Sequence, residues 1–188
     1  TQSEGNNLEH DTDHSNFNSL VQVDSDTYAL AYMGVDSDGF ISTFTISSDG
    51  TTITKVDTLE HDTIGNSSLH NSLVQVDSDT YALAYQGLHG DAFISTFTID
   101  SDGNITAVKT QSEGNNLEHD GSGIGDTTGL NNSFVQVDSD TYALAYEGAD
   151  TVAFISTFTI SDDGTTITKV DTLEHDTSSK TNSFIQID

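Results

Sequence analysis

The chain contains no cysteine, no proline, no tryptophan and, among its four basic residues, no arginine. Without cysteine there is no disulfide to staple a fold and no thiolate for catalysis or metal binding. The four lysines face 31 acidic residues, a net charge of -27. That surface repels nucleic-acid phosphates and anionic membranes, and it suits cations, high salt or dense display. No run of 18 apolar residues occurs, which excludes a membrane-spanning helix. The first residues also lack the basic start and apolar stretch of a secretory signal, so export would need a signal outside this sequence. A composition rich in Thr, Ser, Asn, Asp and Gly, without cysteine and nearly without Lys or Arg, favours an extracellular or cell-surface prokaryotic protein.

What fills the chain instead is repetition. Asn18 to Tyr32, with its phrase Asp-Ser-Asp-Thr-Tyr-Ala-Leu-Ala-Tyr, returns from Asn71 and Asn132 and begins again at Asn182. Leu-Glu-His-Asp starts at Leu8, Leu59, Leu117 and Leu173. Thr1 to Asp11 is identical to Thr110 to Asp120, and Thr51 to Thr63 to Thr165 to Thr177, so the larger unit of duplication is a pair of repeats. The chain therefore divides into a partial repeat (1–17), repeats at about 18–70, 71–131 and 132–181, and a partial repeat (182–188). Each copy is too small to bury an apolar face alone and must stack on its neighbours.

Within a copy the apolar period is two, which marks strands. Tyr28, Leu30 and Tyr32 share one face and the small Ala29 and Ala31 the other. The stretches around Leu20–Val23, Tyr28–Tyr32, Phe40–Ile46 and Thr52–His61 predict four strands per copy, the last being the most polar and reading as a rim strand. Asp24-Ser-Asp-Thr27 and the Asp-Gly pairs at Gly50, Gly103 and Gly164 are hairpin turns that hardly change between copies. The other two connections vary strongly. In an up-and-down meander all the variable loops then leave one end of the sheets and the repeated turns the other. The expectation is an all-β chain, a β-propeller or propeller-like array of four-stranded antiparallel meander repeats. The two partial repeats supply strands without hairpin partners, which would suit either a window from a longer array or strand completion between copies of the chain.

Chemistry-bearing motifs are few. His10, His61, His119 and His175 of the Leu-Glu-His-Asp motifs could ring a transition metal, but each histidine shares its strand face with leucine and points away from its carboxylates, so packing is the expected role. The oxygen-rich turns suit calcium, with Asp36, Asp38, Asp100, Asp102, Asp162 and Asp163 as candidate ligands, although no EF-hand loop is complete. No cofactor is required. Asn66, Asn104 and Asn131 fit the N-glycosylation acceptor pattern. Repeated His, Asp and Ser argue against catalysis, since a catalytic group usually occurs once. The unrepeated His14, His70 and His89 lie in variable loops, where a site would sit.

The phrase Asp-Ser-Asp-Thr-Tyr-Ala-Leu-Ala-Tyr, the phrase Phe-Ile-Ser-Thr-Phe-Thr-Ile and the Asp-Gly turn resemble tandem β-propeller repeat proteins exported by marine and environmental bacteria or archaea. The Trp-Asp dipeptide of WD40 blades and the kelch pattern are absent. The resemblance implies an extracellular, non-enzymatic role. The expectation is a structural surface, matrix or filament component that associates with copies of itself. The alternative is a carbohydrate-binding adhesin or lectin using the variable loop face, where Phe17 is the clearest aromatic.

Overall fold

Alternation of small and large apolar residues decides how this chain packs. The structure of the protein, a computed structural model, describes residues 8–12, 15–64, 68–121, 127–178 and 181–184. Among the described residues thirteen strands form three antiparallel sheets. The first blade holds β1 (Asn16–Gln22), β2 (Thr27–Met33), β3 (Gly39–Ile46) and β4 (Ile53–Asp62), in that order. The second holds β5 (Leu69–Gln75), β6 (Thr80–Gln86), β7 (Ala92–Ile99) and β8 (Ile105–Lys109), with β9 (Leu117–Asp120) also paired to β7. The third holds β10 (Leu130–Asp138), β11 (Thr141–Glu147), β12 (Ala153–Ile160) and β13 (Ile167–Asp176). The first strands lie side by side, β1 against β5 and β5 against β10. This is the propeller-like array of four-stranded meanders that the period-two pattern predicts.

Each seam between blades joins a small face to a large one. Ala29, Ala31 and Ile41 of the first blade meet Tyr81, Leu83 and Phe97 of the second, with Val21 and Val23 packed alongside. One blade further on, Ala82, Ala84 and Ile94 meet Tyr142, Leu144 and Phe158. A blade that is apolar on both faces is therefore consumed on both sides, and burying each leucine or aromatic contributes about 2 kcal/mol. The seams are also tied by hydrogen bonds at equivalent places. The Leu73 amide donates to Ser19 Oγ at 3.0 Å, the Phe134 amide to Ser72 Oγ at 3.0 Å, and the Phe184 amide to Ser133 Oγ at 2.8 Å.

Three details differ from the sequence reading. In the second blade the rim strand is broken into β8 and β9, because Thr110–Asn116 makes a turn of its own, held by Thr110 and Asn115. Asp62 does not face solvent: a bulge in the β3–β4 ladder pairs Asp62 with Gly39 and Glu60 with Phe40, and Asp62 is fully buried. The described residues of the partial repeats lie against this chain: residues 8–11 lie on the first blade, with His10 against Tyr32 and Phe44, and Phe184 is tied to β10.

Candidate functional site

The turn end of the blades is nearly the same in every copy. Asp49 accepts hydrogen bonds from Ser47 Oγ, the Thr51 amide and Thr51 Oγ1, which hold its exposed carboxyl down to about 2. Asp163 repeats this arrangement with Ser161 and Thr165, and Asp100 takes Asn104 instead. These carboxylates are engaged in closing their own hairpins. Asp102 and Asp162 are exposed in the same turns, while Asp36 and Asp38 lie at the opposite end of the first blade. Among the described residues no group of three or more His, Asp or Glu is placed to hold a metal.

Two of the repeated histidines, His61 and His119, belong to the seams. His61 sits edge-on to Tyr85 and Phe97 at ring-centre distances of 5.0 and 5.5 Å, and its Nε2 is 3.2 Å from Ser68 Oγ. His119 does the same against Tyr146 and Phe158, at 5.1 and 5.4 Å. Burial pushes both imidazoles down to about 3. His61 and His119 occupy different seams, His10 lies on the outer face of the first blade against Tyr32 and Phe44, and His175 is exposed, so they make no ring of ligands.

The loop end is where the copies diverge. The first strand of each blade bulges at one place, between Asn16 and Ser19, Leu69 and Ser72, and Leu130 and Ser133. At the bulge Phe17, His70 and Asn131 take positive φ of 57°, 54° and 53°, a region unfavourable for bulky side chains. The following asparagine supports the distortion. Asn18 Oδ1 accepts from Ser15 Oγ, Asn71 exchanges hydrogen bonds with Ser68, and Asn132 Nδ2 donates to the Gly129 carbonyl. A bulge re-aims a side chain, and strain of this kind gathers at functional sites.

The re-aimed side chains meet. The Phe17 and His70 rings lie 4.7 Å apart, tilted by 46°. Asn131 Nδ2 donates to Glu147 Oε2 at 3.2 Å. Glu147 is buried at the end of β11, where the other two blades carry Met33 and Gln86. Burial lowers the His70 pKa, and the neighbouring Glu147 carboxylate partly opposes that shift. Beside the bulge lies a cleft of about 420 Å³, lined by Leu69, Gln86, Leu88, His89 and Thr127 among others. Its size falls in the range of small-molecule sites. Gln86 braces the cleft by donating to the Thr128 carbonyl at 2.7 Å, and His89 holds positive φ at the tip of a 3-10 turn.

Sequence reasoning singled out Phe17, His70 and His89 as loop residues, and it marked Asn131 only as a sugar acceptor. It missed Glu147 and Gln86. The signal was available: a changing residue stands immediately before the constant Asn-Ser of the first strand, and another between the constant Tyr and Gly that end the second. Of the remaining candidates, the exposed Asn104 donates to Asp100 in its turn, whereas Asn66 and His14 lie outside the described residues.

No family model and no curated protein matches the chain. Solved structures do. A protein from Lactobacillus plantarum superposes with a TM-score of 0.60 at 15% identity, over 86% of this chain and 41% of that one. The periplasmic gluconolactonase of Pseudomonas aeruginosa superposes with a TM-score of 0.47 at 10% identity, over 86% of this chain and 58% of that one. The chain thus spans less than half the length of the Lactobacillus protein. At such identities the likeness shows the fold alone. The expectation of a structural filament protein or adhesin is corrected here: the solved structures support a propeller-type fold and give no support to a fibre, coat or adhesin.

Proposed function

We propose that the protein is a binding propeller whose bulged loop end receives a small, neutral polar organic molecule, without transforming it, in an extracellular setting. The observation that supports this most directly is the common bulge. Three blades built to one pattern hold Phe17, His70 and Asn131 at the same strained position, and give it three different chemistries. Phe17, 40% exposed, offers an apolar face for stacking. His70, largely uncharged at neutral pH, offers one donor and one acceptor. Asn131 adds amide groups oriented by Glu147. The strongly acidic surface disfavours an anionic ligand. Binding is favoured over turnover because His61 and His119 are taken up in blade packing, and the acidic, cysteine-free composition supports the extracellular setting.

Saturation-transfer NMR against a panel of small neutral alcohols and amides tests the reading. At least one class of compound is expected to bind, with affinity falling roughly tenfold in Phe17→Ala and in His70→Ala, the scale of one lost stacking or hydrogen-bonding group. No binding by any compound, or binding unchanged in both variants, would overturn it. Consumption of a bound compound would overturn the non-catalytic part alone.

A further inference from the structure

The two seams between blades are built from nearly identical parts, yet they differ at one point, where a single Cβ has to be placed. The leading blade of each seam supplies the first residue of its third strand, Gly39 of β3 or Ala92 of β7. The following blade supplies the residue just before its first strand, Ser68 or Gly129, three positions ahead of Asn71 and Asn132. Ser68 and Gly129 share a backbone conformation, with φ of 57° and 69°. In the first seam a Cβ on Gly39 would meet Ser68 Cβ at 2.8 Å and the His61 ring at 2.9 Å. In the second, a Cβ on Gly129 would meet Ala92 Cβ at 2.7 Å. Both distances lie well inside the contact of about 3.5–4 Å that carbon atoms keep. Each seam therefore has room for one of the two side chains, and the two seams place it on opposite blades.

The polar atoms divide in the same way. Ser68 Oγ donates to Asn71 Oδ1 at 2.7 Å and lies 3.2 Å from His61 Nε2. Its one proton is spent on Asn71, so it accepts from the imidazole N–H. The second seam has no such hydroxyl. His119 Nε2 and Asn132 Oδ1 are both buried there without a hydrogen-bond partner among the described residues. Orphaned groups of this kind are destabilising. The second seam thus carries a costly arrangement although a satisfied one stands a single blade away in the same chain.

We propose that this residue pair is a recognition key by which blades of nearly equal sequence select their neighbours. Gly39 with Ser68 and Ala92 with Gly129 are the two pairs that fit. Ala92 against Ser68 would put two Cβ atoms into the space for one. Gly39 against Gly129 would put none there, leaving a hole and an imidazole without its acceptor. Similar neighbouring repeats invite misassembly and swapping, within a chain or between copies, and a pair of misfits discriminates where the shared apolar faces do not.

Urea unfolding of the 188-residue chain tests the contact, and refolding tests what it selects. Gly129→Ser and Ala92→Gly should each raise the unfolding equilibrium constant about tenfold, the first by crowding and the second by a hole. The double variant Ala92→Gly, Gly129→Ser moves the first seam's key into the second. It should return to within about threefold of the parent, because its hydroxyl reaches His119 and Asn132. Losses that simply multiply, to about a hundredfold, would overturn the key. The same double variant makes both seams alike, and so does the reciprocal pair Gly39→Ala, Ser68→Gly. Diluted from urea at rising protein concentration, both should give about three times the parent's share of swapped oligomers on size-exclusion chromatography. Oligomer shares equal to the parent's would overturn the selecting role, since better packing alone would leave them unchanged.

Discussion

His61 and His119 give up their charge to fill a seam. Each lies between an aromatic pair with essentially no water, and burial holds its pKa at about 3, against an ordinary value of 6.5. The folded chain therefore binds fewer protons than the unfolded chain between those values. The stability linked to each histidine is fully present above about pH 6.5 and is lost as pH falls toward 3, at about 1.4 kcal/mol per pH unit. Urea unfolding at pH 7, 5 and 4 should show this, with the double variant His61→Phe, His119→Phe losing less stability on acidification than the parent. Equal pH slopes would place the imidazoles in water. The leucine-sided packing of these residues was readable in the sequence. That Asp62 turns inward beside Tyr85 was not, because a bulge is set by hydrogen-bond register and leaves no mark in the apolar pattern.

A single residue type can report on whole elements where the elements are copies. Leu83 and Leu144 occupy the centre of β6 and β11 and are fully buried, while Leu30, at the same place in β2, is only partly covered. Leu83→Ala and Leu144→Ala should each cost about 2–5 kcal/mol, and Leu30→Ala distinctly less, in urea titrations at high dilution. Equal losses would mean that the first blade's large face is already covered in the monomer. The strands, their order and the two classes of turn were legible because alternation and Asp-Gly pairs act locally. The division of one rim strand into β8 and β9 was less so. The phrase Gln-Ser-Glu-Gly-Asn-Asn differs from its shorter counterpart in the sequence, but only the bonds that Thr110 and Asn115 make show that it closes a turn. The bulges at Phe17, His70 and Asn131 were hidden for a related reason: the repeat pattern registers what is constant, and the site is built where it changes.

Across the whole molecule the net charge of -27 works against compactness. Screening should relieve it, so the melting temperature should rise by several degrees between low salt and about 0.5 M NaCl. A melting temperature that falls or stays constant would show that ion pairing, not repulsion, governs the surface. Under the proposed function the same charge leaves the loop end to attract a ligand by shape, stacking and neutral hydrogen bonds. The account stands or falls on whether that end of the molecule, and no other, responds to a ligand. Chemical-shift mapping of the labelled chain with small neutral alcohols and amides at millimolar concentration tests this most directly. The account predicts shifts confined to Phe17, His70, Asn131, Glu147 and the neighbouring cleft; shifts centred on the Asp-Gly turns, or none anywhere, would contradict it.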